Sequence, residues 1–186
     1  MQYKKGFSLI ELMVAVALFS VVMLISVGSV LALASANRKA QALQSVMNNL
    51  NIAIDGMVRS IRMGSSYHCG DIGDYTAVRS CPDGDTLIAF EPFGGDAGLA
   101  EDQWVFWYDT TTKQLYKSED GGLTQFALTA PEIQIEGAKF YVVGAELGDN
   151  IQPKVVIIVR GVAGAQDAKT RSSFSVQSTA VQRFID

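Results

Sequence analysis

Hydrophobic positions divide the 186 residues into three regimes. From Phe7 the chain is almost continuously apolar: positions 12–37 are 26 residues without a charge, and Glu11 is the only acid before Arg38. About 20 such residues span a bilayer as a helix. From Leu43 the pattern turns periodic. Leu43, Met47, Leu50, Ile54, Met57 and Ile61 are spaced 4, 3, 4, 3 and 4, one apolar stripe of a helix, with Gln41, Gln44, Asn48, Asn51, Asp55, Arg59 and Arg62 on the remaining surface. No proline falls between 7 and 63. One helix is therefore predicted over both regimes, about 85 Å long. It ends near Gly64 as a cap, with Gly28-Ser29 as the candidate bend.

The third regime alternates. TLIAFE (86–91), QWVFWYD (103–109), KQLYKS (113–118), IQIEGAKFYVVG (133–144), KVVIIVRG (154–161) and SSFSVQSTAVQRF (172–184) are rich in β-branched and aromatic residues and are separated by Gly, Asp and Thr turns. WVFWYDTTTKQLYKS reads as a hairpin turning at DTTT, and KVVIIVR, apolar on both faces, reads as a central strand. Short connections predict an antiparallel sheet. The fold class is α+β: a long N-terminal helix, one half membrane-spanning and one half amphipathic, packed on an antiparallel sheet head. Between helix and sheet, SSYHCGDIGDYTAVRSCPDGD is dense in Gly, Asp and Ser and reads as loop.

Net charge is −4, with no basic stripe, so no nucleic acid is expected as a partner. Cys69 and Cys81 are the two cysteines, and in an extracytoplasmic head a disulfide is the reading for them. The loop it closes is worth about 3 kcal/mol. A zinc site would need more ligands than His68 and two thiols. Asp71, Asp74, Asp83 and Asp85 could gather calcium, but no calcium-loop spacing is met and solvated turn aspartates are the better account. Neither metal nor cofactor is therefore assigned.

The apolar start admits three readings. With Lys4 and Lys5 before it, a signal-anchor keeps a short N-terminus in the cytoplasm and the rest outside. Ala34-Ser35-Ala36 fits a signal-peptidase site, but the apolar run is about twice the usual h-region of 7–15 residues, and Glu11 is out of place in one. The third reading accounts for both oddities. KKGFSLIELMVAVALFS resembles the N-terminus of type IV prepilins and of the pseudopilins of type II secretion systems. The resemblance implies a leader, 1–6, cut after Gly6 by a prepilin peptidase, then N-methylation of Phe7 and a glutamate, Glu11, at the fifth mature position. In that family the glutamate is held to pair with a neighbouring subunit's N-terminal amine during assembly. Spacing alone equally permits pairing within one subunit, since four residues make about one helical turn.

This implies three regions: leader 1–6, transmembrane and filament-core helix 7–36, and an extracytoplasmic α+β pilin-like head 37–186. The implied partners are the prepilin peptidase, other pilin or pseudopilin subunits and the inner membrane. The implied location is a single pass through that membrane, then a pilus or pseudopilus. The long helix continuation and the VQRF-type terminal strand are weakly similar to J-type minor pseudopilins, which favours a minor, tip-located subunit. The competing class is a membrane-anchored or secreted extracytoplasmic binding domain. Trp104, Trp107 and Tyr108 could line a sugar-binding surface, although alternation places Trp104 and Phe106 on one face and Val105 and Trp107 on the other. No enzyme is expected: G-x-S-x-G, P-loop and H-E-x-x-H patterns are absent, and His68, the only histidine, has no nucleophile beside it once Cys69 is bridged.

Overall fold

A computed structural model describes residues 6–71, 73–96, 98–131, 133–148, 151–163 and 171–183. Lys4, Lys5 and the end of the predicted last strand, Phe184, lie outside the described residues. One helix, α1 (Leu9–Met63), carries both predicted halves, and it runs through Gly28-Ser29 without a break. Its hydroxyls do not stand open: Ser20, Ser26 and Ser29 each donate to the carbonyl four residues earlier, Val16, Val22 and Ile25, at 2.8–2.9 Å. Such back-bonding satisfies a polar group where no water is available.

The expected stripe is the face that goes inside. Leu50, Ile54, Met57 and Ile61 are buried and Leu43 packs against the same cluster, while Met47 is half-buried and Val46 and Ala53 join the core beside it. Each fully buried side chain of this size contributes about 1.5–3 kcal/mol. At the far end, Gly64 N–H returns to the Ile61 carbonyl. The buried Tyr67 hydroxyl reaches the Ile61 and Gly64 carbonyls at 2.7 and 2.9 Å, and Arg183 N–H donates to Arg62 O at 2.9 Å. The last-turn carbonyls, orphaned in any helix, are thus tied into the head.

Among the described residues, nine strands form two antiparallel sheets where one was predicted: β1 (Ser65–Cys69), β2 (Cys81–Asp85), β3 (Leu87–Glu91), β4 (Trp104–Asp109), β5 (Gln114–Ser118), β6 (Phe126–Ala127), β7 (Gln134–Val143), β8 (Lys154–Ala163) and β9 (Ser172–Val181). The first sheet has the order β1-β3-β4-β5-β6, the second β2-β7-β8-β9. β4 and β5 are the expected hairpin, and β8 lies between β7 and β9 as expected of a central strand. The inner faces of both sheets share one core with α1, where Ile88, Phe90 and Phe106 meet Phe140, Ile157 and Val159.

The loop reading of 65–85 is corrected. β1 and β2 lie within it, each at the edge of a different sheet. β1 pairs with β3 and β2 with β7. These pairings hold segments whose own composition favours turns, so tertiary context overrides propensity.

Candidate functional site

Gly6, Phe7 and Ser8 precede the helix and are exposed, Phe7 at 78%. Ser8 has extended backbone and is the N-cap, its Oγ accepting from Glu11 N–H at 3.3 Å while its carbonyl accepts from the same amide at 3.1 Å. Ser8-x-x-Glu11 is the spacing of a capping box. The sequence reading passed over Ser8, although that spacing was the signal for it. The Gly6–Phe7 bond therefore sits in open, non-helical backbone two residues from the first helical turn. Glu11 occupies that turn, where the helix dipole favours a negative charge.

Beyond Glu11 the helix is bare. The large apolar side chains from Leu9 to Leu33 are all exposed, between 48% and 79%. A helix apolar on all sides belongs in lipid or against other apolar helices. This is a helix long and apolar enough to cross a membrane, as a single-pass anchor does.

At the head's cysteine segment, Cys69 and Cys81 are disulfide-bonded with Cα atoms 5.7 Å apart, and among the described residues no cysteine is free. His68 is buried in β1 rather than placed in a loop, and its Nδ1–H donates to Ala77 O at 2.6 Å. The four acidic candidates for calcium do not converge. Asp71 accepts from the Tyr75 hydroxyl, Asp74 from Thr76 N–H and Asp85 from Thr86 N–H, while Asp83 is exposed on β2. Among the described residues no three His, Cys, Asp or Glu side chains gather as a metal site.

The aromatic trio divides as alternation requires, so it makes no common surface. Trp104 packs toward the main core with Phe90, 6.3 Å between ring centroids. Trp107 lies on the opposite face with Leu87, Ala89 and Val105 and stacks on Tyr116 at 5.5 Å. Tyr108 is anchored by its hydroxyl to Ile135 O at 2.8 Å, and burial raises its pKa.

Sequence reasoning also missed a buried acid, Glu91, beside the half-buried Asp102. Glu91 is 4% exposed; its Oε2 accepts from Gln103 Nε2 at 2.6 Å, while its Oε1 and Asp102 Oδ1 have no hydrogen-bond partner.

Residues 1–27 match the family model described as the prokaryotic N-terminal methylation motif. This end of the chain carries the N-terminal motif of prepilin-type precursors. The matched segment holds Gly6, Phe7 and Glu11 together with the Ser8 cap and the first half of the bare helix. It indicates a type IV pilin-like or pseudopilin precursor, with processing by a prepilin peptidase and assembly with other pilins as the implied partnerships. No curated protein and no solved structure matches the chain.

Proposed function

We propose that this chain is a structural subunit of an extracytoplasmic filament, a type IV pilus or a secretion pseudopilus. The observation that carries the proposal is α1 itself: its first half is apolar and bare on every side, and the same unbroken helix buries one face of its second half in the head. Such a rod is soluble in a bilayer as a monomer and in a bundle of its own kind as a polymer. Removal of residues 1–6 frees an amine on Phe7, and a free α-amine with a pKa of about 7.7–8.0 is mostly cationic at neutral pH. Methylation of that amine keeps its charge. Glu11 then supplies the complementary carboxylate to the amine of a neighbouring subunit, helices 7–36 stack into the filament core, and residues 37–186 form the surface. An acid at membrane depth costs a few kcal/mol, so a partner for Glu11 has an energetic reason to exist.

Peptide mass spectrometry of the membrane-extracted chain tests the processing: the N-terminus should be Phe7, heavier by one methyl group. Asn37 would sink the reading, since cleavage there discards the core-forming helix, and Met1 or Gln2 would leave a plain anchor. Glu11→Gln keeps a capping-box side chain and loses the charge, whereas Glu11→Ala loses both. Both variants should insert and be processed, and neither should enter filaments when it is the sole copy. Normal assembly by Glu11→Gln with failure of Glu11→Ala would assign Glu11 to the cap alone. The finer proposal is a minor, tip-located subunit. Antibody labelling confined to filament ends supports it, and labelling along the length rejects it.

A further inference from the structure

A cleft of about 370 Å³ lies where the end of the first sheet meets the outer face of the second, lined by Thr86, Tyr108, Lys139, Tyr141, Ile158 and Arg160. Register fixes its chemistry. Lys139 pairs with Ile158 across β7 and β8, and Ile158 with Gln177 across β8 and β9. Arg160 pairs with Gly137 on one side and Ser175 on the other. Lys139 and Arg160 are therefore diagonal neighbours on one face, a separation that a single carboxylate or two adjacent ones can bridge. Gly137 opens the space beside Arg160, because a Cβ built on it meets nothing within 4 Å. The aromatic walls are held. Tyr108 is bound to Ile135 O, and the Tyr141 ring lies over Gly84, whose φ of +77° and missing Cβ make room for it.

The two cations have no carboxylate partner among the described residues. Lys139 Nζ reaches the Asp83 and Gly84 carbonyls, at 3.4 and 3.5 Å. Of the nearby acids, Glu136 holds Arg171, Asp109 accepts from Thr111 N–H in its own turn and Asp85 accepts from Thr86 N–H, while Asp83, exposed on β2, meets Lys139 through its backbone carbonyl. Away from the cleft the same face continues with Tyr141, Val156 and Thr179 in register, then Val143, Lys154 and Val181. Val143 and Val181 are 37% and 39% exposed.

We propose that this cleft binds the carboxylate side chains of an acidic, partly apolar segment of a partner protein chain. In a chain of net charge −4, a face on which Lys139 and Arg160 have no carboxylate partner among the described residues, set between apolar positions, is complementary to such a segment. Two cations in the cleft suit one or two carboxylates and not a polyphosphate backbone, which takes a longer run of Lys and Arg. The proposal does not depend on the filament reading, because the cleft belongs to the folded head whatever the fate of residues 1–36.

The test uses the full chain in detergent and a fluorescein-labelled peptide, Glu-Val-Glu-Val-Glu, followed by anisotropy. Its neutral counterpart, Gln-Val-Gln-Val-Gln, is the control. The acidic peptide should bind and the neutral one should not, with affinity falling as salt rises. Lys139→Ala and Arg160→Ala should each weaken binding about fivefold, as expected for partly exposed charge pairs. Gly137→Leu keeps every charge and fills the cleft, and it should abolish binding while the thermal midpoint stays within a few degrees. Equal binding of both peptides, or affinity unchanged in Arg160→Ala or in a folded Gly137→Leu chain, overturns the proposal.

Discussion

Replacing Glu91 by glutamine should stabilise the head at neutral pH, although it removes a charge. Glu91 ends β3, 4% exposed, with Oε2 occupied by Gln103 Nε2 and Oε1 unpartnered. Asp102 faces the same point: a Cβ on Gly95 would overlap Glu91 Oε1 and come within 3.1 Å of Asp102 Oδ2. Burial first, then the charges of Asp102 and Asp96, raise the Glu91 pKa above its ordinary 4.5, and the Gln103 hydrogen bond only partly opposes them. A carboxyl with a raised folded-state pKa adds stability that is complete below its unfolded pKa and lost as pH rises through the folded value. Ionised Glu91 is therefore a liability above about pH 4.5. The amide of Glu91→Gln keeps an oxygen for Gln103 Nε2 and turns an NH₂ toward Asp102, giving one orphaned acceptor a donor. An unpaired buried acceptor costs about 1–3 kcal/mol, so relief of about 1–2 kcal/mol is expected. For a chain of this size that is roughly 3–6 °C in thermal midpoint. Trp104 and Trp107, the two tryptophans, report unfolding by intrinsic fluorescence. The gain should be present near pH 7.5 and shrink near pH 4.5, as wild-type Glu91 takes up its proton. A Glu91→Gln chain destabilised equally at both pH values would refute the reasoning.

Three further outcomes follow from the same structure. Because Cys69 is fully buried, alkylation is read in denaturant, where Cys69 and Cys81 should label only after reductant, and reduction should cost about 3 kcal/mol of head stability in thermal melts. Leu50→Ala, at a wholly buried position of the stripe, should cost about 2–5 kcal/mol, while Ile52→Ala, 75% exposed on the same helix, should leave the midpoint within about a degree. Asp120 is held at a pKa of about 2 by the Ser118 hydroxyl and then by Thr124, so its turn should be secure above pH 3.8 and loosen as pH falls through 2. NMR titration of its carboxyl checks this, and a midpoint near 3.8 would reject it.

The features legible in the sequence are those set by periodicity or by a linear motif. The helix was readable because its stripe repeats every three to four residues, and β3, β4, β5, β7, β8 and β9 because they alternate or run apolar. β1, β2 and the two-residue β6 were not. Cys81–Asp85 reads CPDGD, a turn by composition, and becomes a strand only because β7 and the disulfide hold it at a sheet edge. Ser66 in β1 has φ +49°, and the register shifts between Ser65 and His68, so a two-residue alternation could not be seen there. The division into two sheets was invisible for a related reason: β1 and β2, one edge of each sheet, were segments whose composition pointed to turns. Among candidate sites, Gly6, Phe7 and Glu11 form a contiguous pattern, the kind a processing enzyme reads along extended chain. The cleft has no such signature. Thr86, Tyr108, Lys139 and Arg160 are scattered over 75 positions and meet only through the β7–β8 pairing and the approach of the two sheets.

The unbroken helix also constrains how the two halves of the molecule act on each other. A helix turns 100° and rises 1.5 Å per residue, so the direction in which Glu11 projects and the direction in which Leu50 enters the head are coupled with no hinge between them. The coupling is tightened at the far end, where Tyr67 and Arg183 bind the last-turn carbonyls and β9 lies along the helix. Any packing that fixes the azimuth of residues 7–36 in a helix bundle therefore fixes which face of the second sheet, and which opening of the Lys139–Arg160 cleft, turns toward the next molecule. A flexible joint at Gly28-Ser29 would have separated those choices. With the helix continuous there, assembly of the apolar half and docking by the head are one geometric problem, solved once by the register of α1.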